Sequence, residues 1–298
     1  MRKSVSYHDG LQFNEDVGRT VLAQEQSVSR SDLLYFLKTV TPRVGVISKL
    51  FEGVFYTTAE NMWLDGFCIQ LNEAKLSLAQ KSLLRYLLYQ ACLRKRPFNI
   101  FHRANLGLRT NGGIKRSFGN LATWERSFDL HMLQAYEELP CNAPEYQRPS
   151  TILSSRNAEE VPAGYDLVYI DPPYISLEER RNWDDYWRRY HFLEGLARYH
   201  EWEQLIDLSS NIRLFQAPEW ITVWSRRRTF TDRLFSLIER HSSSIVLFSY
   251  VKHAYPHDSI IQSFLESKFS DVSIHTRMHN HALSRSQKRE LLFIGYPR

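Results

Sequence analysis

The first half of the chain places apolar residues with the period of an amphipathic helix. Three signatures mark helix starts, because in each a Ser or Thr is followed three positions later by an acid or amide that can complete a capping box. These pairs are Ser29 with Asp32, Thr57 with Glu60, and Ser77 with Gln80. After the third, apolar residues at positions 83, 84, 87, 88 and 91 share one helical face. The pattern predicts a mainly helical region over residues 1–148.

The second half changes to short β-rich runs, most of them separated by longer helical patterns. The runs cover residues 151–154, 167–170, 245–250, 272–276 and 290–295. Such alternation favours an α/β sheet, and the short polar link between the last two runs favours an antiparallel hairpin. We therefore expect residues 149–298 to form a mostly parallel sheet that ends in an antiparallel hairpin.

Basic residues gather in three places along the chain. Helical periodicity stops near residue 97, and a loop rich in Gly, Asn and Arg continues to about residue 120, with most of its cations between Arg94 and Arg116. Further clusters lie at 226–228 and 277–289. Cations among hydrogen-bonding side chains are typical of phosphate contacts, although a solvated surface explains each cluster about equally well.

Composition narrows the class of protein. The chain has 298 residues, of which 43% are hydrophobic, so it can bury a sizeable core. Its 38 basic and 33 acidic residues give a formal charge of +5, which permits a phosphate-rich partner without demanding one. The 3 cysteines lie far apart, so we expect neither a disulfide framework nor a metal site. No run approaches the apolar length of a membrane span, and we expect a soluble cytoplasmic protein.

The sharpest local signal is a strand that runs into two prolines. Residues 166–170, Asp-Leu-Val-Tyr-Ile, lead directly into Asp171, Pro172, Pro173 and Tyr174. Proline cannot continue a strand ladder, so these residues lie at a carboxyl strand end, where open α/β sheets bind ligands. The Asp171 carboxylate and a fixed Pro172 carbonyl can accept hydrogen bonds from a planar amine, and Tyr174 can stack on its ring. An ordinary strand-ending turn is the alternative.

The Asp-Pro-Pro-Tyr loop resembles that of the adenine-specific DNA methyltransferases of the D12 class, which include the Dam enzymes. Residues 98–105, Phe-Asn-Ile-Phe-His-Arg-Ala-Asn, resemble the family's Phe-Asn-Gly-Leu-x-Arg-x-Asn, and residues 117–119 resemble its Pro-Phe-Gly. Residues 190–196 and 282–284 resemble a branch of the same family. The resemblance covers roughly residues 50–298 and implies a Rossmann-like methyltransferase core with a helical DNA-recognition lobe.

The resemblance also implies a reaction. A methyl group would pass from S-adenosylmethionine to N6 of an adenine flipped out of double-stranded DNA, with Asp171 to Tyr174 as the catalytic loop. Asp171 and Asn157 would contact the cofactor, although a polar loop that ends a strand explains Asn157 equally well. Resemblance and charge together give these candidate DNA contacts: Asn99, Arg103, Asn105, Arg109, Lys115, Arg116, Arg226, Arg227 and Arg285.

Two departures from the family pattern stand out. Ile100 adds a Cβ where the family has glycine. More important, the family carries Phe-x-Gly-x-Gly after its first strand and an acid after the next strand, and we find neither here. Only Gly112 and Gly113 are close together among the 12 glycines, and they follow polar residues rather than a strand. The resemblance therefore implies a second methyltransferase subunit that supplies this motif, in a hetero-oligomer.

Two other functions stay open at this point. One is a DNA-binding specificity subunit, or an inactive remnant, that has lost the cofactor half of the enzyme. The other is methylation of a different planar amine, in RNA or on cytosine. The intact loop from Asp171 to Tyr174 favours catalysis, an Asp at its head favours adenine, and residues 98–105 favour DNA.

Overall fold

A computed structural model describes residues 3–22, 28–98, 100–113, 121–139, 150–154, 157–176, 186–280 and 287–298. The chain divides into two compact units. The helical unit comprises Met1–Arg156 and Trp187–Gln216, and the sheet unit comprises Asn157–Tyr186 and Ala217–Arg298. The sequence predicted one boundary, between residues 148 and 149, and so assigned residues 187–216 to the α/β part. In the structure these residues belong to the helical unit.

The predicted capping boxes begin three helices of the helical unit. Ser29, Thr57 and Ser77 each accept a hydrogen bond from the backbone N–H three residues later, and the reciprocal bond is also present, which confirms these starts. The leucine face after Ser77 is buried. The helices are α1 (Gln12–Val21), α2 (Arg30–Lys38), α3 (Val46–Leu50), α4 (Thr58–Glu73), α5 (Leu78–Arg94), α6 (Gly107–Thr110), α7 (Leu121–Glu125), α8 (Phe128–Glu137) and α9 (Tyr186–Ala197).

A small parallel sheet belongs to the same unit. Strand β1 (Val5–Tyr7) pairs with β2 (Ser150–Ile152), which is the run predicted at residues 151–154. Helix α1 lies close against this pair, since a Cβ on Gly18 would sit 2.6 Å from the Tyr7 ring. Sequence analysis did not predict β1, because three residues are too few for an alternating pattern.

The sheet unit contains a four-stranded sheet in the order β3–β5–β8–β7. Its strands are β3 (Leu167–Ile170), β5 (Ile245–Val251), β7 (Asp271–Asn280) and β8 (Gln287–Tyr296), and a two-stranded sheet joins β4 (Ile175–Ser176) to β6 (Ala254–Tyr255). The predicted final hairpin is confirmed, because β7 and β8 pair antiparallel. Strand β8 lies between β5 and β7 and is antiparallel to both, so the four-stranded sheet is mixed and only β3 and β5 form a parallel pair within it.

One face of the four-stranded sheet packs on the core of its unit. Val168 and Ile170 of β3 turn toward this core with alternate residues of β5, and α11 (Arg227–Arg240) and α12 (Asp258–Lys268) cover them. The short helix α10 (Glu219–Thr222) precedes α11. Side chains alternate along a strand, so Leu167 and Tyr169 point the other way, where they are 52% and 58% exposed. In the part of the chain described, no helix has the length and apolar character to cross a membrane.

Candidate active site

The Asp171–Tyr174 loop begins where β3 ends. Ile170 is the last residue of β3, and Asp171 follows it at the carboxyl end of a strand that pairs parallel with β5. Pro172 is buried, Tyr174 is half-buried and Asp171 is exposed. The chain then enters β4, which pairs with β6, so a backbone ladder fixes each end of the loop. The loop therefore presents one carboxylate to solvent from a rigid base, as the two prolines predict.

Tyr174 holds the Asp171 carboxylate. Its hydroxyl donates to Asp171 Oδ1 at 2.9 Å and lies 3.2 Å from Ser249 Oγ. Its ring meets Tyr250 edge to face, with centroids 5.8 Å apart. Burial raises the pKa of Tyr174, and the charge of Asp171 raises it further, so the phenol stays protonated and can donate. The sequence predicted a stacking role for this ring, and the structure adds a hydrogen-bonding role for its hydroxyl.

Sequence analysis missed Ser249. Ile170 of β3 is paired with Phe248 of β5, so β5 carries Ser249 one position further, level with the start of the Asp171–Tyr174 loop. The only signal in the sequence is a hydroxyl residue within an apolar strand. Its nearness to Tyr174 depends on the register between two strands separated by more than 70 residues, and local pattern does not encode that register.

Asn157 takes part in a local turn. Its side chain accepts a hydrogen bond from the Glu159 backbone N–H at 3.2 Å and donates to Glu159 Oε2 at 3.1 Å. Glu159 in turn binds Arg233, with its two oxygens 2.6 and 2.7 Å from Nη1. This is the arrangement expected of a polar loop that ends a strand. The cofactor contact predicted for Asn157 stays a prediction.

The recognition loop, the segment from about residue 94 to 120 that the sequence predicts to contact DNA, has some of its polar side chains buried. Asn105 and Arg109 are buried. Arg109 binds the two oxygens of Glu60 at 3.1 and 2.6 Å, and Asn105 Oδ1 accepts from Arg96 at 2.7 Å. Arg103 is exposed, and only its backbone carbonyl is bonded to Arg96. Of these three candidate DNA contacts, Arg103 alone presents its side chain at the surface, while the other two stabilise the loop.

Arg96 anchors this loop, and sequence analysis missed it. The guanidinium is fully buried between the rings of Phe55 and Phe101, each centroid 4.2 Å away. Burial lowers the pKa of Arg96 to about 10, which still leaves it charged at neutral pH. Two aromatic faces and the oxygens of Arg103 and Asn105 surround the cation. In the sequence Arg96 is one of several cations after α5 and looks like a surface residue.

The other basic candidates fall in two groups. Arg226 is exposed and forms an ion pair with Glu219, at 2.8 Å. Arg227 lies over the ring of Tyr255, with its guanidinium 5.0 Å from the ring centroid, and Tyr255 belongs to β6, the partner of the strand β4 that follows the Asp171–Tyr174 loop. Asn99, Lys115, Arg116 and Arg285 lie outside the described residues.

The structure also places an acid after a short parallel strand. Asp9 follows β1 by two residues, and its carboxylate accepts a hydrogen bond from the Leu11 backbone N–H at 2.8 Å. Burial raises the pKa of Asp9. Sequence analysis did not anticipate this acid, because β1 itself went unrecognised.

Comparison of the chain with protein-family models, with curated proteins and with solved structures finds no match. Within the described ranges, no cluster of His, Cys, Asp and Glu has the geometry of a metal site. The feature with the clearest chemistry is the Asp171–Tyr174 loop, where an exposed carboxylate on a strand-end loop accepts a hydrogen bond from the hydroxyl of a half-buried tyrosine.

Proposed function

We propose that this chain is the catalytic subunit of an adenine-N6 DNA methyltransferase that works with a second chain. The observation that carries the proposal is the Asp171–Tyr174 loop, which directly follows a parallel strand and presents a held, exposed carboxylate. The sheet unit then corresponds to one side of a Rossmann-like methyltransferase core, with the ligand-binding edge at the carboxyl end of β3.

The loop has the groups that methylation of an aromatic amine requires. The lone pair of adenine N6 is delocalised into the ring, so the amine is a poor nucleophile. Acceptors at Asp171 and at the Pro172 carbonyl would bind its two N–H groups and favour a pyramidal nitrogen, while Tyr174 stacks on the flipped base. Asp171 stabilises the positive charge that develops on N6 and takes the proton that leaves it.

S-adenosylmethionine would supply the methyl group, and the residues of this chain could form only part of its binding site. Its sequence has no Gly-x-Gly, so it cannot form the glycine loop that lets a backbone approach the cofactor closely. Asp171, which directly follows β3, is the candidate contact for its reacting end. Asn157 is a second candidate, and its side chain is already hydrogen-bonded in its own turn. The glycine loop is then the contribution of a partner chain.

Strand β3 offers that partner a place to bind. Among the described residues β3 pairs with β5 alone and no strand pairs with its other edge, and Leu167 and Tyr169 expose apolar surface beside it. Natural edge strands are usually protected by Lys, Pro or a bulge, and the sequence Leu-Val-Tyr-Ile has no such protection. A partner that adds a strand beside β3 would bury an obligate interface of more than about 2,000 Å².

Double-stranded DNA is the proposed substrate, with Arg103 as the best-placed contact in the recognition loop. Further candidates are Asn99, Lys115, Arg116, Arg226, Arg227 and Arg285. A subunit that binds DNA without catalysis is the competing function. DNA binding alone would require the basic surface, but it would not require the hydrogen bond that orients the Asp171 carboxylate through Tyr174.

Replacement of Asp171 tests the proposal. In the assembled enzyme, Asp171→Ala should lower the rate of methyl transfer by about 100-fold or more while DNA affinity stays near wild type. Asp232→Ala is the matched control, because Asp232 is an exposed aspartate of α11 in the same unit. Transfer of labelled methyl from S-adenosylmethionine gives the rate, and a filter or fluorescence assay gives the affinity. A near wild-type rate in Asp171→Ala would overturn the assignment.

A further inference from the structure

The β7–β8 hairpin is longer than the sheet that carries it. The two strands pair over ten consecutive positions, from Asp271 with Tyr296 to Asn280 with Gln287. Strand β5 pairs with β8 between Glu290 and Gly295, and the Lys252 N–H, just after β5, donates to the Arg289 carbonyl at 2.9 Å. The pairs 279 with 288 and 280 with 287 continue past that contact. We name residues 275–280 and 287–290 the ribbon.

The ribbon belongs largely to a stretch of the chain that carries basic residues and no acids. Residues 272–289 contain no Asp or Glu, but they contain four Lys or Arg and three of the 11 histidines. The charge therefore indicates a polyanionic partner.

Five of the six described side chains of the ribbon are exposed, and they lie on both of its faces. The sixth, the ribbon's one acid Glu290, is half-buried and paired with Arg277. His275, Thr276, Arg277, Met278 and Arg289 are all exposed. Arg277 is paired with Glu290 and Met278 with Arg289, and neighbouring pairs of a ladder point to opposite faces, so the two arginines project from opposite faces. A hairpin that packed on a protein core would keep one face apolar. This one carries a cation on each face.

Those dimensions and charges fit one class of ligand. The major groove of B-form DNA is about 12 Å wide and admits a two-stranded β-ribbon, with a phosphate backbone along each wall. The deep groove of duplex RNA is too narrow for side chains to read. We propose that the ribbon enters the major groove of duplex DNA, with Arg277 and Arg289 as its described phosphate or base-edge contacts. The inference rests on the proposed action on DNA and adds a second DNA-binding element, on the sheet unit.

A charge-matched pair of variants tests this. Arg277→Gln with Arg289→Gln should lower the affinity of the full chain for a short DNA duplex about tenfold at low salt. The slope of log affinity against log salt should fall by about two, one for each arginine. Lys38→Gln with Lys75→Gln removes the same charge from exposed positions of the helical unit and should leave both quantities near wild type. Arg277→Lys with Arg289→Lys should keep most of the slope.

The groove is tested with modified duplexes. Bulky groups attached to cytosine on the major-groove edge should weaken wild-type binding and abolish its difference from the Gln variant, whereas a minor-groove ligand should leave that difference intact. The inference would be overturned if the two Gln pairs lost equal DNA affinity, or if bulky major-groove groups did not weaken wild-type binding. It would also be overturned if the chain bound duplex RNA equally well with the same dependence on the two arginines, or if it bound no duplex at all.

The outcomes separate this inference from the proposed function. If the enzyme methylates adenine but the Gln variant binds and turns over like wild type, the ribbon is not a DNA element and the proposed function stands. If the ribbon binds duplex DNA through its arginines but no methyl transfer occurs with the partner present, the proposed function fails and the ribbon assignment stands.

Discussion

At the residue scale, two arginines of the recognition loop have opposite roles. Arg109 is buried against Glu60, so Arg109→Ala leaves that carboxylate with fewer partners and should lower the free energy of unfolding by about 3 kcal/mol. Arg103 is exposed, so Arg103→Ala should change it by less than about 0.5 kcal/mol. Urea unfolding of both variants makes the comparison. Equal losses of stability in the two variants would contradict the assignment of a structural role to Arg109 alone.

DNA-binding measurements on Arg103→Ala test whether this exposed arginine contacts DNA. If Arg103 contacts a phosphate, Arg103→Ala should reduce the salt slope of binding by about one, and if it contacts a base edge, the variant should relax specificity at one position. Titration of labelled duplexes at several salt concentrations measures both. An unchanged slope with unchanged specificity would remove Arg103 from the DNA contacts.

The hydroxyl and the ring of Tyr174 can be separated. Tyr174→Phe keeps the ring and removes the donor to Asp171 Oδ1, so kcat should fall at least about tenfold while KM for DNA holds. Tyr174→Ala also removes the ring and should weaken retention of the flipped base by about 1–3 kcal/mol. Steady-state kinetics and a fluorescent adenine analogue report the two effects. A Tyr174→Phe enzyme with wild-type kcat would show that the hydroxyl does not steer Asp171.

Sequence singles out individual residues only where chemistry and local pattern coincide. Asp171 and Tyr174 lie in one tetrapeptide after an apolar strand, so the sequence alone makes them candidates, and their catalytic role stays a prediction. Ser249 and Arg96 act through long-range contacts and look like an ordinary strand residue and a surface cation. Burial decided the role of Arg109, and charge in a loop does not reveal burial.

At the scale of elements, a buried carboxylate of α9 holds the start of α1. Glu194 accepts hydrogen bonds from the backbone N–H groups of Gln12 and Phe13, the latter at 3.1 Å, and α1 has no side-chain cap of its own. Burial raises the pKa of Glu194 from 4.5 to about 7, against these hydrogen bonds and the charge of Arg198, which lower it. A proton is therefore held more tightly in the folded chain than in the unfolded one.

This carboxylate makes stability depend on pH. The contribution of Glu194 to the free energy of unfolding is fully present below about pH 4.5. It is lost as pH rises through about 7, because the folded chain must then bury the charged carboxylate. Glu194→Gln does not ionise, so its stability relative to wild type should rise by about 2 kcal/mol between about pH 5 and about pH 8. Urea unfolding at the two pH values measures this difference. A difference that does not change with pH would contradict the assignment.

Elements with a local start signal were predictable, and those without one were not. The capping boxes at Ser29, Thr57 and Ser77 fix three helix starts through neighbouring residues alone. Strand β1 depends on pairing with β2, more than 140 residues away, and its three residues carry no periodicity. The acid that follows it, Asp9, went unrecognised for the same reason.

At the scale of the whole molecule, the open edge of β3 predicts assembly. Tyr169→Lys places a charge beside that edge and should weaken partner binding at least about tenfold, while the isolated chain keeps its stability because Tyr169 is 58% exposed. Tyr35→Lys is the control, since Tyr35 is 73% exposed on α2. Co-purification and sedimentation with the partner compare the two. Equal assembly of both variants would place the interface elsewhere.

The division into units shows where prediction from pattern ends. The change from helical to β-rich pattern near residue 150 is real, and it suggested a single boundary. Residues 187–216 return to the helical unit because their apolar side chains, such as Phe192 and Trp202, pack on Phe51. A helical segment that follows a strand has the same local pattern whichever unit it joins.

Methyl transfer with and without the partner tests the central claim most directly. The chain is incubated with duplex DNA and S-adenosylmethionine labelled in its methyl group, alone and with a second chain that carries Phe-x-Gly-x-Gly, and the labelled nucleoside is identified. The account predicts N6-methyladenine only when both chains are present, with micromolar cofactor binding that also requires both. Label on another base, or activity and tight cofactor binding by the isolated chain, would contradict it.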